Sequence, residues 1–181
     1  MANKELLSRN FLTNEFWQLS WSASVQRAGV YRPGLASKDR LGFRGRLVEW
    51  LDIEVIPNYR DPVSEETHLC HLGRTVKYAT QIGSDVLADG RYRIGVAQKL
   101  VNLQLKYLWC GGLLPEPPHC PVDRVILTQT RYGHSPPAWT RMDTEEAYLD
   151  AIGTIREKAE VAGATIAAWE LAAYADATRS R

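Results

Sequence analysis

The 181 residues suffice for one hydrophobic core, since a chain near this length buries roughly 70% of its unfolded surface in a single domain. With 45% hydrophobic and 24% charged residues, the composition excludes a disordered, fibrous or low-complexity protein. A net charge of +1 hides an uneven distribution: Arg27, Arg32, Lys38, Arg40, Arg44 and Arg46 stand against Asp39 alone, whereas eight carboxylates between Asp143 and Asp176 stand against Arg156 and Lys158. Such a basic stretch has two readings, a surface for a polyanion or a solvated helix face.

No apolar run approaches the roughly 18 residues of a membrane span, and Met1 to Asn10 carries Lys4, Glu5 and Arg9 with no apolar stretch behind them. Cys70, Cys110 and Cys120 are too few for a disulfide framework or a four-cysteine metal site. We therefore expect a cytoplasmic protein, free of membrane, monomeric, and built as one compact helical domain over residues 1–181.

Taken in chain order, Phe11 to Arg27 predicts an aromatic-rich helix, and Lys38 to Leu51 a second with Leu41, Leu47, Val48 and Leu51 at helical spacing. Two prolines make Ile53 to Val63 a loop. Ser64 is an N-cap signal with Glu65 and Glu66 behind it, and Leu69, Leu72, Val76, Ala79 and Ile82 form the apolar stripe of the helix that follows. A turn at Gly90 to Gly95 leads into Val96 to Trp109, apolar around most of its circumference and so expected at the centre. Gly111-Gly112 ends that helix, and the prolines of Leu113 to Pro121 dictate a stiff extended connector. After a short element at Val122 to Thr128 and a polar loop, two helices follow, from Asp143 or Thr144 to about Val161 and around Gly163 to Ala177. No alternating strand pattern is present, so the fold class is all-α.

Within this scheme Lys99 stands out, a lysine in the first turn of a largely apolar helix. Its methylenes can snorkel along apolar surface and leave the charge in water. Alternatively it is a nucleophile, because burial and the positive end of a helix both disfavour an ammonium's charge. Asp123 likewise has two readings, an N-cap for the next element or a partner for Lys99. Position alone leaves both open.

The segment Gly95-Val96-Ala97-Gln98-Lys99-Leu100-Val101-Asn102-Leu103, followed 24 residues after the lysine by Pro121-Val122-Asp123, resembles the helix-hairpin-helix DNA glycosylase superfamily, and most closely the archaeal 8-oxoguanine glycosylases. The resemblance spans about 30 residues, within a degenerate hairpin and catalytic segment at about residues 84–128. It implies that Lys99 is the amine that attacks C1′ of a flipped-out nucleotide and Asp123 the carboxylate that assists. It also implies a base pocket with Leu103, one turn beyond Lys99, and an aromatic from a late helix, here Trp169. Gly95 and Gln98 of the hairpin, with Arg91 and Arg93 of the turn, become the implied DNA contacts. The family's leucine-proline-glycine opening is absent, Arg93-Ile94 standing in its place, and Ala97 replaces the second hairpin glycine.

The implied activity is removal of a damaged or modified base, with strand cleavage at the resulting site. Candidate substrates are oxidised guanine or a hypermodified pyrimidine of phage DNA, such as a glucosylated hydroxymethylcytosine, removed as a defence. Other classes remain: a non-catalytic helical DNA-binding module, or a helical protein-interaction domain. Lys106, two turns beyond Lys99 on a similar face, is an alternative nucleophile. His68, Cys70, His71, His119 and Cys120 match no common zinc spacing and Cys70 is expected in the core, so neither metal nor cofactor is expected. Trp17, Trp21, Trp50, Trp109 and Trp139 read as core or rim, and Phe16 and Trp17 as possible pocket residues.

Overall fold

A computed structural model describes residues 4–179, so the first three residues of the segment read above for a leader lie outside it. Among the described residues there are seven α-helices and no strand, apart from one isolated bridge between Tyr31 and Leu87. The chain is all-helical, and no helix is long and apolar enough to cross a membrane.

The first helix, α1 (Lys4–Ala23), begins earlier and ends sooner than its aromatic pattern predicts. Ser24 Oγ donates to the Ser20 carbonyl at 2.6 Å, competing with the helical ladder where the helix stops. Helices α2 (Ser37–Glu54) and α3 (Glu65–Ile82) flank a 3-10 turn at Ile56–Tyr59, so the predicted loop from Ile53 carries the end of α2 and this turn. Ser64 caps α3 as its sequence signals, its hydroxyl accepting from the Thr67 N–H at 3.1 Å.

The organising element is α4 (Ile94–Cys110). Every residue from Ile94 to Lys106 is buried, which explains the all-round apolar pattern: the helix packs against α1, α3, α6 and a second 3-10 turn at Trp139–Arg141. Gly112, at φ +69°, turns the chain out of α4 in a conformation other residues resist. The proline-rich connector then leads back to α5 (Arg124–Leu127), and α6 (Glu145–Val161) and α7 (Ile166–Arg179) close the structure around it. Thr144 caps α6 by accepting from the Ala147 N–H.

The start of α4 is sealed against the Trp139–Arg141 turn. The Gly95 N–H donates to the Met142 carbonyl at 3.0 Å, and a Cβ at position 95 would stand 1.8 Å from the Trp139 carbonyl oxygen. Only glycine fits this approach. Gly95→Ala is expected to lose about 1–3 kcal/mol through overpacking, read as a lower urea midpoint at unchanged slope. A variant as stable as the parent would show that the turn is not locked to α4.

Candidate active site

Four turns of α4 carry two polar stripes with separate tasks. Gln98 and Asn102, four residues apart, point at the returning connector. Gln98 Oε1 accepts from the Val122 N–H at 3.0 Å, while its Nε2 donates to the carbonyls of Val122 and Gly95, each at 2.9 Å. Asn102 Nδ2 donates to the Cys120 carbonyl at 2.9 Å and to the Tyr148 hydroxyl at 3.1 Å. The prolines deny the connector a regular partner, and these amides supply one.

Lys99, Leu103 and Lys106 form the neighbouring stripe, spaced by four and three residues, and all line a cavity of about 540 Å³. From Lys99 the helix runs about 16 Å to Cys110, and the clamped connector returns over that distance to deliver Asp123 beside Lys99. Lys99 Nζ donates to Asp123 Oδ2 at 2.6 Å, with the lysine side chain 6% exposed and the aspartate 16%. The other carboxylate oxygen, Oδ1, accepts from the Ile126 N–H at 3.0 Å. Both sequence readings of Asp123 therefore hold together: capping α5 fixes the rotamer that turns the second oxygen to the lysine.

The second lysine is also paired. Lys106 Nζ donates to both Glu170 carboxylate oxygens, at 2.9 and 2.7 Å, and lies 4.9 Å from the Tyr174 ring centroid. Burial pushes the Glu170 carboxyl above its ordinary value, and the Lys106 ammonium opposes that shift. Glu170 and Tyr174 sit four residues apart on α7, and both line the cavity with Tyr107, Cys110, Trp139 and Leu171. The cavity is within the roughly 300–1,000 Å³ of small-molecule sites.

Leu103 is thus where the sequence places it, and Trp169 is not. Trp169 lines a separate depression with Gln129, Ala172 and Asp176, and the α7 aromatic facing Lys99 and Leu103 across the cavity lining is Tyr174. Of the implied DNA contacts, Gln98 is wholly buried with both ends of its amide bonded to backbone. The Gly95 amide is taken by Met142. Arg91 donates to Asp143 at 2.7 Å, and Arg93 pairs with Asp89 and lies 3.4 Å from Asp143, so neighbouring carboxylates already offset both charges. Phe16 packs on the lining residue Tyr107 and Trp17 donates to Asp52, and neither of the two lines the cavity itself. Glu170 and Tyr174 went unseen, although a carboxylate in the alanine-rich stretch of α7, four residues before an aromatic, is a signal that the two share a face.

Behind the connector lies a buried imidazole cluster. His119 Nδ1 bonds the Tyr148 hydroxyl at 2.8 Å, His68 Nδ1 bonds that of Tyr59 at 2.7 Å, and the two imidazole centroids are 4.8 Å apart. His71 is buried beside them, whereas Cys70 is exposed: of its neighbours on α3 it faces outward, contrary to its expected place in the core. Among the described residues no group of three or more histidine, cysteine or carboxylate side chains is arranged to hold a metal ion.

No protein-family model, curated protein or solved structure matches this chain.

Two predictions follow from the clamp and the cluster it anchors. Gln98→Leu strands the Val122 N–H and carbonyl inside the protein, at about 1–3 kcal/mol for each unsatisfied group; an unchanged thermal midpoint would mean the connector holds itself. Burial pushes His68 well below and His119 below the ordinary value of 6.5, Glu65 at 3.2 Å opposing the shift at His119. As pH falls below about 6.5 the unfolded chain takes up protons that the folded rings refuse, so stability is fully present above that pH and declines beneath it. The urea midpoint should fall between pH 7.5 and 5.5, by up to about 1.4 kcal/mol per pH unit for each ring, and His119→Asn should flatten the decline. A flat profile in the parent would show that the rings are charged in place.

Proposed function

We propose that this chain is a DNA glycosylase of helix-hairpin-helix type with associated lyase activity, using Lys99 as nucleophile and Asp123 as its assisting carboxylate. One observation carries the reading: a lysine amine and a carboxylate in direct contact at 2.6 Å on the wall of a nucleobase-sized cavity. The motif resemblance supports the same two residues independently.

In the reaction, a nucleotide swings out of the stack and its base enters the cavity. An Nζ proton passes to Asp123 across their hydrogen bond, which frees the lone pair. That lone pair forms the bond to C1′ as the bond between C1′ and the base breaks, and the departing base takes the bonding electrons together with the proton held by Asp123, which restores the carboxylate. The secondary ammonium then gives a proton to O4′ as the bond between C1′ and O4′ breaks, which leaves a protonated Schiff base, and loss of a C2′ proton expels the 3′ phosphate. The restored Asp123 carboxylate lies beside the positive charge of the Schiff base. Leu103 packs against the extruded base, while Lys106 and Glu170 offer a donor and an acceptor to its polar edge. That polarity suits oxidised guanine or a hypermodified pyrimidine.

Borohydride trapping on oligonucleotides carrying an abasic site, 8-oxoguanine or glucosylated hydroxymethylcytosine tests the proposal. A covalent adduct should form with the parent and be lost in Lys99→Gln, and Asp123→Asn should slow single-turnover trapping by about 10²-fold or more. Persistence of the adduct in Lys99→Gln with loss in Lys106→Gln would transfer the nucleophile to Lys106. No adduct and no base release on any substrate would leave a non-catalytic DNA-binding module or, without salt-dependent DNA binding, a protein-interaction domain.

A further inference from the structure

The sequence places phosphate contacts at the start of α4, and the structure closes that position. Gly95 spends its amide on Met142, and the Val96 and Ala97 amides both bond the Arg93 carbonyl. The Trp139 carbonyl lies against Gly95 so closely that a methyl group would not fit between them. Carbonyl oxygens, not an open set of N–H donors, therefore cover the helix start, and their partial negative charge repels an anion.

Around the cavity mouth the situation is reversed. Arg27, in the turn after α1, and Arg124, the first residue of α5, both line the cavity; Arg141 follows Thr140, which also lines it. All three are exposed, and among the described residues none of their guanidinium groups has a carboxylate or hydrogen-bonding partner. Arg91, Arg93, Arg131 and Arg156 are all paired with carboxylates. Inside the cavity the charges cancel by contact, Lys99 with Asp123 and Lys106 with Glu170. Arg27 and Arg124 therefore bring uncompensated positive charge to the entrance, and Arg141 adds a third such charge next in sequence to the lining residue Thr140.

We propose that Arg27, Arg124 and Arg141 form the rim that grips the phosphates flanking a flipped nucleotide, in place of the closed hairpin terminus. The proposal rests on the DNA reading above and adds where the backbone is held. Of the basic stretch from Arg27 to Arg46, it assigns only Arg27 to the cavity mouth. Guanidinium groups suit the task because their planar donors match phosphate oxygens in pairs.

The test is fluorescence anisotropy with a duplex carrying a tetrahydrofuran abasic analogue, between 50 and 300 mM salt on the order used for such titrations. Each of Arg27→Gln, Arg124→Gln and Arg141→Gln should weaken binding and reduce the slope of log affinity against log salt by about 0.9, one released counterion set per phosphate contact. The triple variant should lose nearly three times that, while Arg91→Gln, whose charge is already paired, should leave the slope unchanged. Urea midpoints equal to the parent's would show that the exposed substitutions leave the fold intact. Parent-like affinity and slope in the triple variant would overturn the rim and leave the DNA reading standing. A parent protein with no salt-dependent DNA binding would overturn both.

Discussion

The contact on which the site depends is the one between the Gln98 side-chain amide and the backbone of Val122. A primary amide is the one neutral side-chain group that presents an acceptor and a donor side by side, so it can pair with both polar groups of a single peptide residue. Buried on α4, Gln98 uses them on the N–H and C=O of Val122, and one turn later Asn102 donates to the Cys120 carbonyl. Together they set the register between a regular helix and a segment that prolines bar from regular structure. One residue of slip would carry Asp123 away from Lys99, because the carboxylate also has to cap α5 at Ile126. Position and orientation of the acid thus come from two different bonds, one behind it and one ahead.

The clamp has its own support. Tyr148, on α6, accepts from Asn102 and bonds His119 of the connector, and Glu65 at the start of α3 lies between His119 and Arg156. This ties three helices to the segment that ends in Asp123. Burial disfavours charge on the imidazoles of that network, so the same groups that brace the connector are expected to make its bracing dependent on pH. The candidate site and the acid sensitivity predicted for the fold share one physical cause, the burial of polar groups.

Most helices were legible because their signals are local: the Ser64 cap, the Gly112 exit and the stripe of α3 each involve neighbours in sequence. That Lys99 meets Asp123 was legible from a motif at fixed separation, and that Leu103 shares the face of Lys99 was legible from helical spacing. Most of the misreadings have one physical origin, partners distant in sequence. Arg91 looks like a free cation until Asp143, about 50 residues on, folds against it, and the same carboxylate joins the local partner Asp89 at Arg93. Gln98 looks like a surface amide until Val122 returns to it. Trp169 failed through helical phase: it stands five residues, about 140° of rotation, from Tyr174, and no local signal on α7 says which face meets α4. Glu170 and Tyr174, one turn apart, share the face that does.

Two lysine–carboxylate pairs in one cavity are not what stability alone would select. Removing such charges from water costs several kcal/mol per ion, and well-packed apolar side chains in their place are often as stable or more so. In the Lys106–Glu170 pair, burial works against the carboxylate's charge even with the ammonium in contact. Elsewhere along α4 the buried positions are filled by Val96, Leu100, Val101 and Leu105, so the helix packs with aliphatic residues wherever only packing is at stake. The charged stripe is confined to the side that borders the cavity. Charged pairs gathered at one opening, on a helix otherwise filled by aliphatic and amide side chains, agree with the chemistry proposed for that opening.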